Sequence, residues 1–430
     1  MSGSTRRWIA FTILMVALAL RGLGATWWQQ HLGGARVFGF PDSHSYWDLG
    51  QRIAAGAAYE YGGPDFRIFR APGYPLLLGG LFALVGDDPP VLWARLVGAV
   101  LGTLTVLGVI WLGSTVFDRD TGLVAGGLAA VYPGAVGLSI FVLAEALFCP
   151  LLLVQLASWV AAWRAAGRGA ETGWAVLAGG AAGLAVLTRP SWWLFAPFVL
   201  GCLVVGSRDR WRHLRIGGWM IVACSVVMSP WWVRNYQVAG RFVPTTLQVG
   251  ASLYDGLNPE ATGASNMPFA GPFFRAQKEE DAAAGRSQDG FETRLDRRLR
   301  DAALAWAQTH PGQVCRLAGH KLLRMWNIWP NAADFGSWPM KLLVATGYVP
   351  VLLLGAVGFW IWGRRGWPYT VCLFPAVYLT CLHLVFVSSI RYREPAMLAW
   401  IVMAAAVIVR VGTSAAARRT VSADPAGGPA

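Results

Sequence analysis

Residues 40–50 read F-P-D-S-H-S-Y-W-D-L-G, and residues 69–75 read F-R-A-P-G-Y-P. Both motifs belong to the long polar stretch that separates the apolar segments 8–20 and 76–85. The stretch holds two nearby carboxylates, Asp42 and Asp48, together with Tyr46 and Arg70. We predict that it is a loop outside the membrane, which carries a functional carboxylate on a membrane-embedded scaffold.

The composition is that of an integral membrane protein. Hydrophobic residues make up 55% of the chain and charged residues only 14%, whereas soluble domains carry roughly 25% charged residues. The net charge of +13 is expected to set the membrane topology and to meet anionic lipid. Nucleic acid is not an expected partner, because the chain has no basic helix with a reading face. The six cysteines form no C-x-x-C pair, so no zinc site or disulfide framework follows.

The N-terminal apolar run has two interpretations. Arg6-Arg7 followed by apolar residues 8–20 and by Gly24-Ala25 resembles a secretory signal peptide. Because Arg21 interrupts the run, we favour an uncleaved first helix. In either case the chain that follows leaves the cytoplasm.

The short apolar segment 74–85 decides the topology that we predict. A segment of this length is more often interfacial than spanning. If residues 74–85 lie in the membrane interface, the arginine-bearing loops 164–173, 207–215 and 363–367 fall on the cytoplasmic side, as the positive-inside rule requires. We therefore predict an all-α polytopic protein with about ten transmembrane helices. These predicted spans are residues 8–24, 91–117, 122–138, 146–163, 174–188, 191–206, 216–233, 342–362, 369–387 and 396–411.

We divide the chain into four parts. An N-terminal transmembrane catalytic module covers residues 1–235 and contains the first outer loop, 25–90, with its interfacial helix 74–85. An extracytoplasmic loop and helical cap covers residues 236–340, C-terminal transmembrane helices cover 341–411, and a disordered cytoplasmic tail covers 412–430. In the cap, the Gly/Pro/Asn-rich first part, residues 240–259, is predicted as loop with short extended pieces. Residues 290–329 are predicted as two helices that break at His310-Pro311.

The predicted topology brings polar residues from separate parts of the chain to one face of the membrane. Ionisable residues at membrane depth are costly, so their presence indicates function. A single such residue is explained by snorkelling to the interface, but several on one face are not. The residues on this face are Asp42, Arg70, Glu145, Arg189, Arg234, Asn235, Arg391 and Arg393.

A carboxylate among arginines suits the transfer of a group from a phosphate-bearing donor. Arginine binds phosphate through a planar fork and remains charged. A nearby aspartate can accept the proton of an attacking hydroxyl, and the arginines can stabilise the charge on the departing phosphate. If the donor is anchored in the bilayer, its phosphate lies at headgroup level and its tail lies between helices.

The chain resembles the GT-C superfamily of integral-membrane glycosyltransferases, which includes protein O-mannosyltransferases and lipid A aminoarabinose transferases. The resemblance covers about residues 1–410. It is carried by P-D-S-x-S-Y and F-R-A-P-G-Y-P, by the arginine of A-R-L-V-G-A-V-L-G-T-L, and by F-D-R-D-T-G, L-A-E-A-L-F and L-T-R-P. P-W-W-V-R-N-Y-x-x-x-G, G-L-N-P and R-Y-R-E-P complete it.

The resemblance implies roles for individual residues. It implies that Asp42 is the general base and that Glu145 is a second acid that positions donor or acceptor. It implies donor-facing polar groups at Arg70, Arg189, Arg234 and Arg391. Arg70 stands where the aminoarabinose transferases carry a lysine, and the chain lacks the large added domain of protein O-mannosyltransferases.

Each candidate also has a structural interpretation. Asp42 could cap a helix, because D-S-x-S is a good capping sequence, and Glu145 could be a polar residue satisfied inside a helix bundle. The arginines could anchor the membrane boundary, and Arg391 or Arg393 could pair with Glu394. Tyr46, predicted to bind substrate with Asn235, could instead be a packing residue. A divalent metal near His44 and the two aspartates is left open, although no cofactor is expected.

These observations predict an inverting glycosyltransferase that takes a sugar from a polyprenyl-phosphate donor. Asp42 and Glu145 are the predicted catalytic residues, and Arg70, Arg189, Arg234, Arg391 and Arg393 are predicted to bind the donor phosphate. The expected partners are the lipid-linked donor, a glycan, lipid or protein acceptor, and membrane lipid. The active site is expected on the extracytoplasmic side of a multi-pass protein of the cell membrane. A flippase for lipid-linked sugars and a non-catalytic assembly partner are the alternatives.

Overall fold

The computed structural model describes residues 2–86, 88–331 and 335–422, with side chains as far as residue 414. Every regular element in this described part is helical. The α-helices are α1 (Gly3–His31), α2 (Pro41–Ala54), α3 (Gly73–Val85), α4 (Leu92–Val116), α5 (Arg119–Val131), α6 (Pro133–Ile140), α7 (Glu145–Arg164), α8 (Arg168–Thr188), α9 (Phe195–Gly206), α10 (Arg210–Ala239), α11 (Val249–Gly256), α12 (Ala270–Ala283), α13 (Phe291–Thr309), α14 (Pro311–Met325), α15 (Trp338–Trp362), α16 (Phe374–Val385) and α17 (Ile390–Ser422).

The polytopic all-α architecture predicted from the sequence is confirmed. By length and composition, 7 helices among the described residues could cross a membrane, or up to 8 if the bent pair of α5 and α6 is one span. The 7 segments are Gly3–His31, Leu92–Val116, Glu145–Arg164, Arg168–Thr188, Arg210–Ala239, Trp338–Arg365 and Ile390–Ser414.

Three of the ten predicted spans differ from continuous membrane-length helices. The span predicted at 122–138 is the pair α5 and α6, which meet at 60°. The bend follows from Pro133, because the residue before a proline avoids helical geometry, and Tyr132 is extended with ψ 117°. The spans predicted at 191–206 and 369–387 are the shorter apolar segments Pro190–Gly206 and Tyr369–Val385, each of which begins with a 3₁₀ turn.

Close packing in the N-terminal half requires glycine at one position in particular. A Cβ atom added to Gly122 of α5 would lie 2.1 Å from Ser114 Oγ and 2.5 Å from the backbone oxygen of Ile110 on α4. On the same helix, a Cβ atom added to Gly127 would meet nothing within 4 Å. Gly122 therefore sets the approach of α5 to α4.

The segment 236–340 is more helical than the sequence predicted. Residues 240–259, predicted as loop with short extended pieces, contain α11, whereas α12 lies in a part of the segment for which no element was predicted. The prediction failed at α11 because its glycines mask a short helix. The two later helices and their break at His310-Pro311 are confirmed by α13 and α14. We call α11 to α14 the cap.

The C-terminal helix extends beyond the last predicted span. That span was predicted to end at residue 411, whereas α17 continues to Ser422. Residues 423–430 of the predicted tail lie outside the described residues.

Helix α3 matches the short helix predicted at 74–85 and packs on α2. The rings of Trp47 and Phe82 lie 4.5 Å apart, and those of Tyr46 and Tyr74 lie 5.3 Å apart. Such aromatic pairs stabilise packing beyond simple burial. The α2–α3 pair therefore forms a small apolar core behind the polar N-terminus of α2.

A buried arginine of α4 holds the chain that leads into α2. Arg95 is fully buried, and its Nη2 donates to the carbonyl oxygens of Val37 at 3.0 Å and Phe38 at 3.1 Å. Its Nε donates to Gln29 Oε1 at 2.7 Å, and its Nη1 donates to the Ile140 carbonyl at 2.8 Å. Arg95 thus ties the entry to α2 to the membrane helices.

Candidate active site

The N-terminus of α2 presents Asp42 in its first turn. Phe40 is extended, and Pro41 occupies the first helical position, where a missing N–H costs nothing. The partial positive charge at a helix N-terminus favours a carboxylate there. Asp42 is therefore a first-turn residue rather than the N-cap itself.

Five charged side chains from five separate segments form a continuous chain of ion pairs. Arg70 Nη2 lies 2.8 Å from Asp42 Oδ1, and Arg391 Nη1 lies 3.1 Å from Asp42 Oδ2. The other edge of Arg391 pairs with Glu145 through Nε, and through Nη2 at 3.1 Å. Arg189 Nη1 lies 2.7 Å from Glu145 Oε1. We call these five residues the charge chain; its three cations exceed its two anions.

The members of the charge chain differ in exposure. The Glu145 side chain is 0% exposed, whereas that of Asp42 is 35% exposed. Those of Arg70 and Arg391 are 14% and 20% exposed. Glu145 is therefore placed to orient Arg189 and Arg391, and Asp42 is the carboxylate that an incoming group can reach.

The electrostatic environment keeps Asp42 ionised. Partial burial opposes its charge, but the positive charges of Arg70 and Arg391 and their hydrogen bonds outweigh that effect. Together they lower the pKa of Asp42 to about 2. In the absence of ligand, Asp42 is therefore a carboxylate with a weakened affinity for protons.

Aromatic rings enclose the arginines of the charge chain. The Arg70 guanidinium lies 5.3 Å from the ring centre of Tyr46 and 5.5 Å from that of Tyr61. Tyr392 lies 5.3 Å from the Arg189 guanidinium and 5.6 Å from that of Arg391. Cation–π contacts of this kind stabilise an arginine without using its hydrogen-bond donors. The sequence reasoning had not singled out Tyr392, although it stands inside the R-Y-R-E-P motif.

Part of the chain matches a known protein family. Residues 70–233 match the family described as dolichyl-phosphate-mannose-protein mannosyltransferase. This region contains Arg70, Glu145 and Arg189, but not Asp42 or Arg391. No curated protein matches the chain in sequence.

Comparison with solved structures finds a shared fold. The apo oligosaccharyltransferase of Archaeoglobus fulgidus aligns over 98% of this chain and 52% of that chain, with 15% identity and a TM-score of 0.61. AglB from Archaeoglobus fulgidus, in complex with an inhibitory peptide and a dolichol-phosphate, aligns over 100% of this chain and 53% of that chain, with 14% identity and a TM-score of 0.61. This chain therefore shares its fold with these oligosaccharyltransferases. It spans about half the length of the oligosaccharyltransferases that it resembles.

A transferase structure from another organism also aligns with this chain. ArnT from Cupriavidus metallidurans bound to undecaprenyl phosphate aligns over 96% of this chain and 79% of that chain, with 17% identity. The TM-score of this alignment is 0.44.

Arg234 lies beside the charge chain rather than in it. Its Nη2 donates to the Tyr59 carbonyl at 3.3 Å, and its guanidinium lies over the ring of Trp231 at 4.8 Å. Tyr59 in turn donates from its hydroxyl to the Arg70 carbonyl at 3.2 Å. Arg234 is thus connected to Arg70 through a single residue, and its Nη1 is buried without a hydrogen-bond partner.

Two predicted site residues are engaged elsewhere, and we leave them out of the site. Arg393 is fully buried, lies over the ring of Tyr348 at 3.6 Å, and donates to the Met325 carbonyl at 3.1 Å. Asn235 is also fully buried and donates to the Val243 carbonyl at 3.1 Å. Their polar groups hold the protein backbone, which does not support the predicted roles in phosphate and substrate binding.

Tyr46 has a packing role, since its side chain is buried between Tyr74 and Arg70. The nearby His44 and Asp48 are exposed, and His44 packs edge-on against Phe38 at 4.5 Å. Within the described ranges, no group of three or more His, Cys, Asp or Glu side chains is arranged to hold a metal ion.

Proposed function

We propose that this protein is an inverting glycosyltransferase of the GT-C superfamily. It moves a sugar from a polyprenyl-phosphate donor to an acceptor hydroxyl on the outer face of the cytoplasmic membrane. The observation that carries the proposal is the charge chain, in which a partly exposed carboxylate lies between two arginines. No metal or other cofactor has a role in the proposed reaction.

The comparisons support a lipid-linked donor. The matching family is described by dolichyl-phosphate-mannose, and a solved structure with the same fold contains a dolichol-phosphate. The charge chain offers such a phosphate several arginine donors and an excess of positive charge. Arginine is well suited to this task because its planar fork binds two phosphate oxygens at once.

In the proposed reaction, the acceptor hydroxyl loses its proton to Asp42 and its oxygen attacks the anomeric carbon of the donor sugar. The bond from that carbon to the phosphate oxygen breaks, and the phosphate leaves with the electron pair. Arg70 and Arg391 stabilise the charge that grows on this oxygen. Attack opposite the leaving group through an oxocarbenium-like transition state inverts the anomeric centre.

The low pKa of Asp42 gives the donor a second role. A carboxylate with a pKa of about 2 is a poor base at neutral pH. A bound phosphate competes with Asp42 for Arg70 and Arg391, because its two non-bridging oxygens share a negative charge and can accept their forks. Donor binding therefore weakens the ion pairs of Asp42 and raises its affinity for a proton at the moment when the acceptor arrives.

The distribution of arginines supports an outer active site. Helix α8 carries Glu171 near its start, where the acid pairs with Arg212 at 3.0 Å and Arg215 at 2.6 Å. Arg189 of the charge chain follows the opposite end of the same helix. By the positive-inside rule, the arginine-rich end faces the cytoplasm, so the charge chain faces outward.

The experiment that tests the proposal uses purified protein in nanodiscs with a panel of polyprenyl-phosphate sugars. Binding and the release of free polyprenyl phosphate are recorded for the wild type, for Asp42→Asn, and for Asp48→Asn as the matched control. Asp48 is an exposed acid on the same helix. We expect Asp42→Asn to bind donor and to lose about 10²–10⁴-fold in turnover, the usual contribution of a general base, while Asp48→Asn remains active.

Other outcomes would contradict the proposal. Full transfer by a folded Asp42→Asn variant would exclude Asp42 as the base. Binding without release in the presence of acceptor, together with movement of a labelled lipid across the bilayer, would instead identify a flippase.

A further inference from the structure

A carboxylate of the cap binds the backbone of the first polar loop. Glu292, in the first turn of α13, is only 8% exposed. Its Oε2 accepts the backbone N–H of Arg67 at 2.9 Å and that of Ile68 at 3.0 Å, and its Oε1 accepts the Ile68 N–H at 3.2 Å. The charge of this buried side chain is thus satisfied by main-chain donors of a segment more than two hundred residues away.

Further contacts hold the same loop against the cap. The Ile68 carbonyl accepts the backbone N–H of Leu247 at 3.1 Å. Phe66 and Phe69 pack against a cap cluster that contains Phe291 and Leu295. Apolar packing resists separation of the two surfaces but fixes their register only loosely, whereas hydrogen bonds to a carboxylate are directional. Glu292 therefore determines the position of the loop backbone within the packed surface.

The position of the loop determines that of Arg70. Only one residue separates Ile68 from Arg70. The backbone at Arg70 itself is held by the Tyr59 hydroxyl, which donates to the Arg70 and Ala71 carbonyls at 3.2 Å each. The Arg70 guanidinium then reaches Asp42 Oδ1 at 2.8 Å. The Arg70 Nε is buried without a hydrogen-bond partner, so no hydrogen bond at Nε helps to orient the guanidinium. The ion pair to Asp42 therefore depends on where the backbone places Arg70.

We propose that Glu292 is a positioning residue, which holds the loop of residues 66–70 so that Arg70 stays on Asp42 and faces the donor phosphate. The part of this inference that concerns the donor rests on the proposed function. The part that concerns Arg70 does not, because it is a statement about the unliganded protein.

The chain offers a matched control for Glu292. Asp296 lies one turn further along α13, is 7% exposed, and accepts the backbone N–H of Gly250 at 2.7 Å. It makes the same kind of bond, but to α11 inside the cap rather than to the loop. Asp296→Asn therefore perturbs the cap without touching the segment that carries Arg70.

The test measures the reaction of Arg70 with phenylglyoxal at pH 8, by mass spectrometry of the peptide that contains it. The variants are Glu292→Gln, which places an amide N–H₂ against backbone N–H groups, Glu292→Asp, which keeps the carboxylate, and Asp296→Asn. We expect Arg70 to react about tenfold faster in Glu292→Gln, since bonds to a charged acceptor are worth enough to shift an opening equilibrium by that factor. Asp296→Asn should match the wild type, and Glu292→Asp should restore most of the protection.

A second readout measures the affinity for undecaprenyl phosphate in a double-mutant cycle with Arg70→Ala. If Glu292 acts through Arg70, Glu292→Gln weakens binding in the wild-type background and has no further effect when Arg70 is absent. Equal labelling of Arg70 in Glu292→Gln and wild type, or additive losses of affinity in the cycle, would overturn the inference.

A failure of the proposed function can be distinguished from a failure of the role proposed for Glu292. If the wild type did not bind undecaprenyl phosphate, the donor assignment would be wrong, and the labelling rates would still decide whether Glu292 positions Arg70.

Discussion

Arg391 donates a hydrogen bond to Asp42 across 3.1 Å, although the two residues are 349 positions apart in the chain. The same guanidinium pairs with Glu145 at the start of α7. One side chain thus joins the first polar loop, the membrane bundle and the C-terminal helix. The proposed reaction depends on this bridge, because it places a cation between the base and the second acid.

Arg391→Lys tests the bridge. A lysine keeps the charge but cannot present a planar fork to two carboxylates and a phosphate. We expect turnover to fall by about ten- to a hundredfold, with weaker binding of the donor. The measurement is kcat and KM for the lipid-linked donor.

Arg393→Lys is the matched control for that variant. Arg393 binds the Met325 carbonyl and lies over Tyr348, so its loss should lower the thermal unfolding temperature and leave KM for the donor unchanged. Equal increases of KM in both variants would contradict the separation of roles.

Glu145→Gln tests the buried acid. Glu145 is fully buried between Arg189 and Arg391, and its neutralisation removes the carboxylate that pairs with Arg189 and leaves Arg391 with Asp42 as its counter-charge. We expect the free energy of unfolding to fall by about 3–5 kcal/mol, as for other broken buried ion pairs. Thermal or chemical unfolding in detergent measures this loss.

The control for that variant is Glu171→Gln. Glu171 also pairs with two arginines, but their side chains are 33% and 43% exposed. Solvent then screens the unpaired charges, and the free energy of unfolding should fall by about 0–1 kcal/mol. A loss as large as that of Glu145→Gln would argue against burial as the cause.

The pH dependence of stability should separate two carboxylates. Burial, reinforced by the charge of Asp296 and opposed by the backbone N–H groups and Arg234, raises the pKa of Glu292 to about 7. Glu292 therefore binds a proton more tightly in the folded state than in the unfolded state, and this contribution to stability is present below the unfolded pKa of about 4.3 and is lost as pH rises through about 7. The unfolding temperature of the wild type should fall across this window, and that of Glu292→Gln should fall less.

The contribution of Asp42 to stability should depend on pH in the opposite direction and in a lower pH range. Its pKa is lowered to about 2, so its contribution to stability is present above the unfolded pKa of about 3.9 and is lost only as pH falls through about 2. Asp42→Asn should therefore leave the slope between pH 5 and pH 8 unchanged. A change of that slope in Asp42→Asn would show that Asp42 titrates near neutrality.

Replacing each of two glycines of α5 by alanine should change the stability of the protein in opposite directions. Gly122→Ala forces a Cβ atom to within 2.5 Å of the Ile110 carbonyl oxygen, which the backbone of α4 cannot easily relieve. We expect a loss of about 1–3 kcal/mol, typical of overpacking. Unfolding temperatures in detergent measure the change.

Gly127→Ala is the contrasting variant. The added Cβ atom meets nothing within 4 Å, so the variant should gain about 0.4–1 kcal/mol from the reduced freedom of the unfolded chain. Destabilisation of the same size in both variants would show that α5 packs differently.

Much of the architecture could be predicted because its causes are local. The length of an apolar segment and its flanking charges depend on neighbouring residues, which is why most spans and the break at His310-Pro311 were predicted. The errors occurred where local signals were mixed. Pro133 divided an apolar run that looked continuous, and the glycines of α11 concealed a short helix.

The site was less predictable, because distance along the chain carries little information about contact. The sequence indicated that Arg391 and Arg393 both lay near the functional face. Residues two apart on a helix point in nearly opposite directions, so only one of them could join the charge chain. Glu292 looked like one charge among many on α13, and nothing local indicated that it would bind the backbone of the first loop.

The sequence by itself determined that this is a helical membrane protein and which charged side chains lie at the ends of its helices, because hydropathy and charge are properties of short segments. Only the tertiary structure decided that Asp42, Arg70, Glu145, Arg189 and Arg391 form one continuous chain of ion pairs and that Arg393 and Asn235 do not contribute to it. The physical reason is that a buried charge is satisfied by whichever partner the packing of distant helices brings within about 3 Å, and that packing depends on the whole chain at once.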